Sequence, residues 1–140
     1  MMADVHDKKT RSYNMSRIRA KDTKPELLVR KFLFKNGFRY RLHLKKLPGK
    51  PDLTLKKYNT AIFVNGCFWH GHQECKYFVI PKTRTEWWIT KILATAGKDL
   101  KNYEELRRQG WNVIVIWECE LKGKMQREAL ENLVTKITNE

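Results

Sequence analysis

The sequence has no long apolar stretch, few cysteines and no repeats. No apolar run approaches the roughly 20 residues that a membrane-spanning helix needs, which argues against a membrane protein. The N-terminal stretch MMADVHDKKTRS is polar and lacks the apolar core of a signal peptide, so we expect a cytoplasmic protein. Its three cysteines allow at most one disulfide bridge, and cytoplasmic chains rarely hold one. Without low-complexity tracts or a linker, 140 residues suit a single core.

Acidic residues are also scarce. The chain has 29 Lys and Arg against 15 Asp and Glu, a formal net charge of +14. Residues 1–60 hold 17 of the basic side chains and 5 of the acidic ones, so most of the surplus lies in that half. This concentration favours a polyanionic partner, because each phosphate that is neutralised releases a condensed counterion. A solvated basic surface is the plainer alternative, and no basic amphipathic helix indicates membrane-surface binding.

Apolar periodicity predicts the order helix, three strands, long helix, strand, helix. Thr23 and Glu26 have the spacing of a capping box at the start of the first helix. Alternation of apolar and charged residues over 38–45 predicts a half-buried strand, and the apolar run 111–117 predicts a fully buried one. The predicted helices span about 25–36, 85–109 and 126–138, and the predicted strands span 38–45, 52–55, 60–65 and 111–117.

Four potential zinc ligands follow the third and the last predicted strands. They are Cys67, His72, Cys75 and Cys119. A tetrahedral zinc filled by four protein ligands has no position left for water, so this zinc would be structural. It would join the loop after the third strand to the end of the last strand, and this link could contribute several kcal/mol to the folding of a small domain. Three buried free cysteines are the plainer alternative, and spacing alone leaves His70 open as a ligand in place of His72.

A second set of side chains has the chemistry of phosphodiester hydrolysis. Asp52 begins one strand beside the end of its hairpin partner, where a carboxylate and a main-chain carbonyl can hold Mg²⁺. Such an ion activates water and stabilises charge on the scissile phosphate. His70 could take the proton of that water if Asp99 orients its ring, and Glu26 could reach the waters around the metal. In the plainer interpretation Asp52 shapes a turn, and Asp99 and Glu26 are solvated helix charges.

Six short motifs follow one another along the chain. They are Ala3-Asp4-Val5-His6-Asp7, Asn14-Met15, Leu47-Pro48-Gly49-Lys50-Pro51-Asp52, Gly66-Cys67-Phe68-Trp69-His70, Thr83-Arg84-Thr85-Glu86-Trp87-Trp88 and Trp117-Glu118-Cys119. Together they resemble the very short patch repair (Vsr) endonuclease family. The resemblance extends to about Lys124, and GCFWH with LPGxPD is highly specific. It implies an α/β fold with a restriction-endonuclease-like core, in which helices flank a mixed β-sheet. It also implies the activity, a nick in one strand 5′ to the thymine of a T·G mismatch that arises where 5-methylcytosine has deaminated.

The resemblance also implies the roles of individual residues. Asp52 and the carbonyl of Val64 would hold Mg²⁺. His70 would be the general base with Asp99 as its partner, and Glu26 would support the water shell of the metal. The structural zinc would be held by Cys67, His72, Cys75 and Cys119.

Two positions depart from the family pattern. The best-known members have Thr-His before the Gly-Cys pair, where this chain has Val64-Asn65. The carbonyl of Val64 can still bind a metal. Asn65 remains a candidate catalytic residue, because its amide can still hydrogen-bond in the phosphate region, but it cannot take up a proton as histidine can. We therefore expect slower nicking or a different pH dependence. One extra residue between His72 and Cys75 adjusts the zinc loop without removing a ligand.

Three aromatic side chains are implied to contact DNA. Phe68, Trp69 and Trp88 are candidate wedges between base pairs. Unstacking is least costly where pairing is already faulty, so wedging at a T·G wobble pair is itself a source of selectivity. In the plainer alternative Phe68 and Trp88 are core residues, and Trp88 has the helical spacing for that.

The N-terminal region is predicted to act as a basic arm. Residues 1–22 are too sparsely apolar to pack alone, so we expect an arm there and an endonuclease domain over 23–140. On this arm Met15 and Ile18 would press into the DNA from the other groove.

Two other functions compete with this interpretation. A non-catalytic zinc-containing DNA-binding module would use Asp52 only to shape a turn, and it would bind without Mg²⁺ and without product. A hydrolase on another acidic substrate would use the basic half as a funnel. A zinc deaminase is excluded, because its His-x-Glu beside Pro-Cys-x-x-Cys is missing. We expect a monomer that acts on double-stranded DNA with a T·G mismatch, with mismatch-repair proteins as candidate partners.

Overall fold

The computed structural model describes residues 22–138. Met15 and Ile18 lie outside the described residues, and so does the predicted arm except for Asp22. The division into an arm over 1–22 and a domain over 23–140 therefore stays a prediction.

Three helices and four strands form the described part of the chain. The helices are α1 (Lys24–Lys35), α2 (Thr85–Arg108) and α3 (Gln126–Thr138), and the strands are β1 (Arg41–Leu42), β2 (Leu53–Leu55), β3 (Thr60–Asn65) and β4 (Asn112–Trp117). Short 3₁₀ turns connect β2 to β3 and β4 to α3. The predicted order of elements is confirmed.

The strands form one mixed sheet in the order β1-β2-β3-β4. The first three strands pair antiparallel, with Leu53 of β2 opposite Ile62 of β3. β3 and β4 run parallel, with Asn65 opposite Trp117 at their carboxyl ends, and α2 is the crossover between them. The predicted α/β class and mixed sheet are confirmed, and the sheet topology brings the ends of β3 and β4 side by side.

The start of α1 is only partly the predicted capping box. The Thr23 hydroxyl accepts a hydrogen bond from the amide of Glu26 (3.4 Å), and Pro25 lies in the first turn. The Glu26 carboxylate instead accepts from the amide of Asp22 (3.1 Å), one residue before the cap. Glu26 is thereby fixed at the N-terminus of α1 with its side chain directed into the protein, where only 1% of the residue is exposed.

Apolar side chains cover both faces of the sheet. On one face α1 and α3 pack against the strands through a cluster that includes Leu33, Leu53, Ile62, Ile114 and Leu133. On the other face α2 packs through a smaller cluster of Ala61, Phe63, Tyr103 and Leu106. Because side chains alternate along β3, Ile62 faces α1 and α3 whereas Phe63 faces α2. This three-layer arrangement holds the end of β3 beside α2.

The predicted strand over 38–45 is wrong in length and burial. Only Arg41–Leu42 pair with β2, and both residues are exposed. The physical reason lies at His43, which has a left-handed backbone (φ +46°) that extended strands do not allow. The chain then turns, with the amide of Leu47 donating to the carbonyl of Leu44. The alternation of apolar and charged residues over 38–45 therefore does not form one strand, because the backbone reverses at His43.

The prediction that 111–117 is fully buried is also wrong. β4 begins at Asn112, and only Ile114 and Ile116 are buried, because β4 is the outer strand of the sheet. A parallel strand at a sheet edge has a neighbour on one side only, so its other residues retain access to water. In the described part of the chain, no helix combines the length and apolarity that crossing a membrane would require.

Candidate active site and metal centre

An open cavity of about 760 Å³ lies where β2, β3 and α2 meet. Four of the five residues singled out from the sequence as catalytic line it together: Asp52, Asn65, His70 and Asp99. They come from the start of β2, the end of β3, the loop after β3 and the middle of α2. The fold therefore brings together side chains that are up to 47 positions apart in the sequence.

Asp52 is mostly buried in this cavity, with 17% of its side chain exposed. Its Oδ2 atom accepts a hydrogen bond from the amide of Val64 (2.7 Å), across the β2–β3 hairpin. Burial raises the pKa of the Asp52 carboxyl to about 6, against the opposing effect of the Val64 hydrogen bond. The negative charge of Glu26 raises this pKa further, whereas the charges of His43 and His70 lower it. Asp52 is thus a carboxylate whose charge is incompletely compensated.

His70 and Asp99 form a close pair. The Nδ1 atom of His70 lies 2.6 Å from Oδ2 of Asp99 on α2. A carboxylate at Nδ1 favours the tautomer whose proton is on Nδ1, which leaves Nε2 as an acceptor. The loop is held close to α2 by Gly71, which has φ +64° and where a Cβ would lie 2.8 Å from Cγ2 of Ile92. Only glycine fits this approach without displacement.

Glu26 is not a solvated helix charge. It is buried and forms ion pairs with Arg30 on the next turn of α1 and with His43, where Nε2 lies 2.7 Å from Oε2. Arg30 also pairs with Asp22 at 2.5 Å. The plainer interpretation, a surface charge, is therefore wrong for Glu26, whose carboxylate contacts a cavity residue, His43, instead of water.

Val64 and Asn65 end β3 at the cavity wall. The hydrogen bond of Val64 to Asp52 uses its amide, so the predicted role of its carbonyl in metal binding stays a prediction. Asn65 is buried, and its Nδ2 donates to the hydroxyl of Tyr103 (2.9 Å). Nδ2 of Asn65 is thereby anchored to α2, and the predicted catalytic role of the residue is not tested by this contact. Burial raises the pKa of Tyr103 to about 12, so this hydroxyl stays protonated at neutral pH.

Sequence reasoning missed several residues of this cavity. His43, Lys45 and Lys50 line it, and Tyr103 supports its wall. Lys50 lies within the LPGKPD turn and could have been found from that motif. Tyr103 follows Asp99 by four positions on α2, so helical spacing could have indicated it. No pattern in the sequence indicated the backbone reversal at His43.

The four predicted zinc ligands form a compact cluster. Their candidate ligand atoms all lie within 4.8 Å of one another, and the residues are Cys67, His72, Cys75 and Cys119. The three cysteines are free thiols rather than a disulfide. His72, not His70, is the histidine of this cluster, and its Nδ1 lies 3.5 Å from Sγ of Cys119. The group has the size and ligand chemistry of a closed metal site.

The cluster joins the carboxyl ends of the parallel strands. Cys67 follows β3 and Cys119 follows β4, and the amide of Cys119 donates to Sγ of Cys67 (3.4 Å). The His72 ring stacks on Trp117, with centroids 4.0 Å apart and planes 5° apart. Burial raises the pKa of the Cys67 thiol to about 12, so its thiolate would need a cation beside it. Because His70 lies between two of these residues, the cluster also fixes the loop that carries it.

The three predicted wedge residues lie together. Phe68 is 5.2 Å from Trp69 and 5.3 Å from Trp88 between ring centroids, and Trp69 is 5.8 Å from Trp88. All three are half-buried, so none is a fully buried core residue. Trp87, which sequence reasoning missed, is exposed beside Trp88 and beneath the guanidinium of Arg84.

Known proteins that are similar to this chain share one activity class. A family model described as DNA mismatch endonuclease Vsr matches residues 3–76. The DNA mismatch endonuclease Vsr of Escherichia coli is 44% identical over 131 residues, which cover 92% of this chain and 83% of the relative. The chain belongs to the Vsr family of DNA mismatch endonucleases.

Other relatives match this chain over almost its whole length. The type II nicking enzyme V.NmeAIP of Neisseria meningitidis is 50% identical over 137 residues, which cover 97% of each protein. The type II nicking enzyme V.XorIIP of Xanthomonas oryzae is 41% identical over 134 residues, or 95% of this chain and 98% of the relative. The resemblance that the motifs indicated is confirmed, and with it an enzyme of the nuclease class that acts on DNA.

Proposed function

We propose that this chain is a Mg²⁺-dependent endonuclease of very short patch repair. It nicks one DNA strand 5′ to the thymine of a T·G mismatch left by deamination of 5-methylcytosine. The observation that carries the proposal is the shared cavity of Asp52 and the His70–Asp99 pair. Within this proposal the α/β domain has a restriction-endonuclease-like core.

The residues around Asp52 fit a hard divalent cation. Mg²⁺ favours few protein oxygens and keeps several waters, and an open cavity that holds the mostly buried carboxylate of Asp52 offers both conditions. The amide of Val64 fixes Oδ2 of Asp52 and thereby leaves Oδ1 and the main-chain carbonyl of Val64 as candidate oxygens. When bound there, Mg²⁺ supplies Lewis acidity toward the scissile phosphate and the attacking water.

His70 acts as the general base in this proposal. Asp99 holds its ring through Nδ1, so Nε2 can accept the proton of the attacking water and Asp99 stabilises the charge that develops on the imidazole. The support that Glu26 would give to the water shell of the metal stays a prediction, and its carboxylate contacts the cavity residue His43. Asn65 lines the cavity with Nδ2 bound to Tyr103, and its hydrogen bonding in the phosphate region also stays a prediction.

The Cys/His cluster fits zinc, the second cofactor of the proposal. Three thiols and one imidazole nitrogen supply the four ligands of a closed tetrahedral shell, so the zinc has a structural role. Held by Cys67 and His72, the loop between them keeps His70 facing Asp99 while DNA enters.

The DNA-binding part of the proposal rests on charge and aromatic side chains. Lys45 and Lys50 line the cavity and would contact phosphates beside the cut, which also draws the polyanion in. Phe68, Trp69 and Trp88 would wedge into the stack at the mismatch, because unstacking costs least where pairing is already faulty. The contacts of Met15 and Ile18, a monomeric state, mismatch-repair partners and a cytoplasmic location remain predictions.

A panel of end-labelled duplexes tests the proposed substrate. Each duplex carries one T·G, U·G, A·C or matched C·G pair at the same position, and both strands are labelled so that the cut is mapped. We expect one product, cut 5′ to the mismatched thymine and dependent on added Mg²⁺. Binding of the T·G duplex without any product, with or without Mg²⁺, would favour the non-catalytic DNA-binding module. Cutting of the matched duplex at the same rate would contradict the mismatch specificity.

A further inference from the structure

His43 occupies an unusual position beside the cavity. It follows β1 with a left-handed backbone, a conformation that costs a residue with a side chain on the order of 1 kcal/mol or more. Its amide donates to the carbonyl of Asp52 (3.3 Å), so the backbone reversal is fastened to the residue next to β2. The reversal directs the imidazole toward two carboxylates instead of along the edge of the sheet.

The imidazole lies between Glu26 and Asp52. Its Nε2 atom is 2.7 Å from Oε2 of Glu26 and 3.7 Å from Oδ1 of Asp52. This atom is buried, and among residues 22–138 it has no hydrogen bond of regular geometry. A ring nitrogen that is close to both acceptors and aligned with neither is placed to be shared by them.

The two oxygens of Asp52 consequently have different neighbours. Val64 donates to Oδ2, and His43 faces Oδ1. Beyond His43, Glu26 is fixed by Arg30, which also pairs with Asp22. The contacts form a continuous series from α1 to the cavity, and His43 is the member that joins its two carboxylates.

We propose that His43 is a positioning residue that holds the Asp52 carboxylate in the orientation that binds the divalent cation. The inference rests on the proposed function of Asp52. Residues that orient a metal ligand in this way typically contribute 10–100-fold to metal affinity. His43 itself takes no proton from substrate, and its loss acts through Asp52.

Two amides of different length provide the test. In His43→Gln the side-chain amide extends far enough to reach both carboxylates, whereas in His43→Asn it is too short, and His43→Ala removes the polar group. We expect the Mg²⁺ concentration for half-maximal single-turnover nicking to rise about tenfold in the Asn and Ala variants. The Gln variant should stay within about threefold of wild type, and the rate at saturating Mg²⁺ should change little in all three.

Mn²⁺ binding gives a readout that does not require cutting. Loss of the electron paramagnetic resonance signal of free Mn²⁺ measures the Mn²⁺ affinity of the full chain. Asp52→Asn is the variant that removes the carboxylate. Leu42→Ala, at a neighbouring exposed residue, is the control. The expected order of affinity is wild type and Gln above Asn and Ala, with no change for Leu42→Ala. If His43→Ala unfolds, the Gln and Asn pair still decides the question.

Equal Mn²⁺ affinity in wild type, His43→Gln and His43→Asn would overturn the proposal. A fall in the rate at saturating Mg²⁺ with unchanged metal affinity would overturn it as well, because His43 would then act on the chemical step. If no T·G duplex is cut, the proposed function fails by itself. The Mn²⁺ series would still support or overturn the positioning role.

Discussion

The Nδ1 atom of His70 lies 2.6 Å from the Oδ2 atom of Asp99, although 29 positions separate the two residues. The contact joins the loop after β3 to the middle of α2, and it sets both the direction and the tautomer of the imidazole. An imidazole that is fixed through Nδ1 presents Nε2 for proton transfer, and its protonated form is stabilised by the carboxylate behind it. The pair is therefore suited to a general base.

Asp99→Asn should separate catalysis from binding. The amide can take the place of the carboxylate but favours the wrong tautomer, so the single-turnover nicking rate should fall by about 10²–10⁴ with DNA affinity nearly unchanged. Glu104→Gln, at an exposed position of the same helix, is the matched control and should cut like wild type. A rate within twofold of wild type for Asp99→Asn would show that His70 needs no orientation or is not the base.

The raised pKa of Asp52 predicts a pH dependence that responds to metal. Burial raises this pKa from 3.8 to about 6, so protons compete with Mg²⁺ for the carboxylate. At low Mg²⁺ concentration nicking should fall as the pH drops through about 6, and more Mg²⁺ should move the midpoint to lower pH. A midpoint that is independent of Mg²⁺ would contradict metal binding at Asp52.

The same pKa predicts the stability of the Asp52→Asn variant without added Mg²⁺. A carboxyl whose pKa is raised on folding binds more protons in the folded than in the unfolded state between pH 3.8 and 6, so ionisation destabilises the wild type as the pH rises. The variant avoids this loss, so its free energy of unfolding should exceed that of wild type by about 1–3 kcal/mol at pH 7. Urea titrations at pH 5 and 7 should show the difference growing by about 1 kcal/mol. A less stable variant at pH 7 would contradict the raised pKa of Asp52.

The fold was predictable from the sequence where apolar periodicity decides structure. The bounds of β3 and α3 were predicted as they occur, because their buried faces repeat at the period of a strand and of a helix. The prediction failed at β1, where His43 has a left-handed backbone that the alternation of apolar and charged residues does not indicate. It failed on the burial of β4, because the position of a strand within a sheet depends on residues far away in sequence.

The composition of the site was predictable in part. The motifs supplied Asp52 and His70, and their meeting in one cavity follows from the antiparallel pairing of β2 with β3, which places Asp52 beside the end of β3. Glu26 was singled out as an acidic residue of the first predicted helix, but its burial depends on Arg30 and His43 and was not foreseen. The anchoring of Asn65 by Tyr103 was likewise missed, since a contact over 38 positions leaves no local pattern.

Gly71→Ala should impair both stability and nicking. A Cβ at this position would lie 2.8 Å from Cγ2 of Ile92, and the backbone has φ +64°, so the loop must move away from α2. We expect a loss of about 1–3 kcal/mol and a slower cut, because His70 moves with the loop. Gly97→Ala is the control: nothing lies within 4 Å of its Cβ, and it should stabilise α2 by about 0.5–1 kcal/mol. Equal effects of the two substitutions would refute the close approach.

Cys75→Ser should remove the zinc and with it much of the stability. Atomic emission should find one zinc ion per chain in wild type and less in the variant, whose thermal midpoint should drop by about 10–20 °C. Gln73→Ala, an exposed neighbour in the same loop, should keep both the metal and the midpoint. A Cys75→Ser protein with unchanged stability and no zinc in either form would show that the cluster is three free thiols.

The most direct measurement is single-turnover nicking of a T·G duplex with Mg²⁺ by wild type and Asp52→Asn, with DNA affinity measured by fluorescence anisotropy on the same preparations. The account predicts a cut 5′ to the thymine by wild type, a rate lower by at least about a thousandfold in the variant, and similar affinity for both. Equal cutting by the two proteins, or tight binding by both with no cut by either, would contradict it.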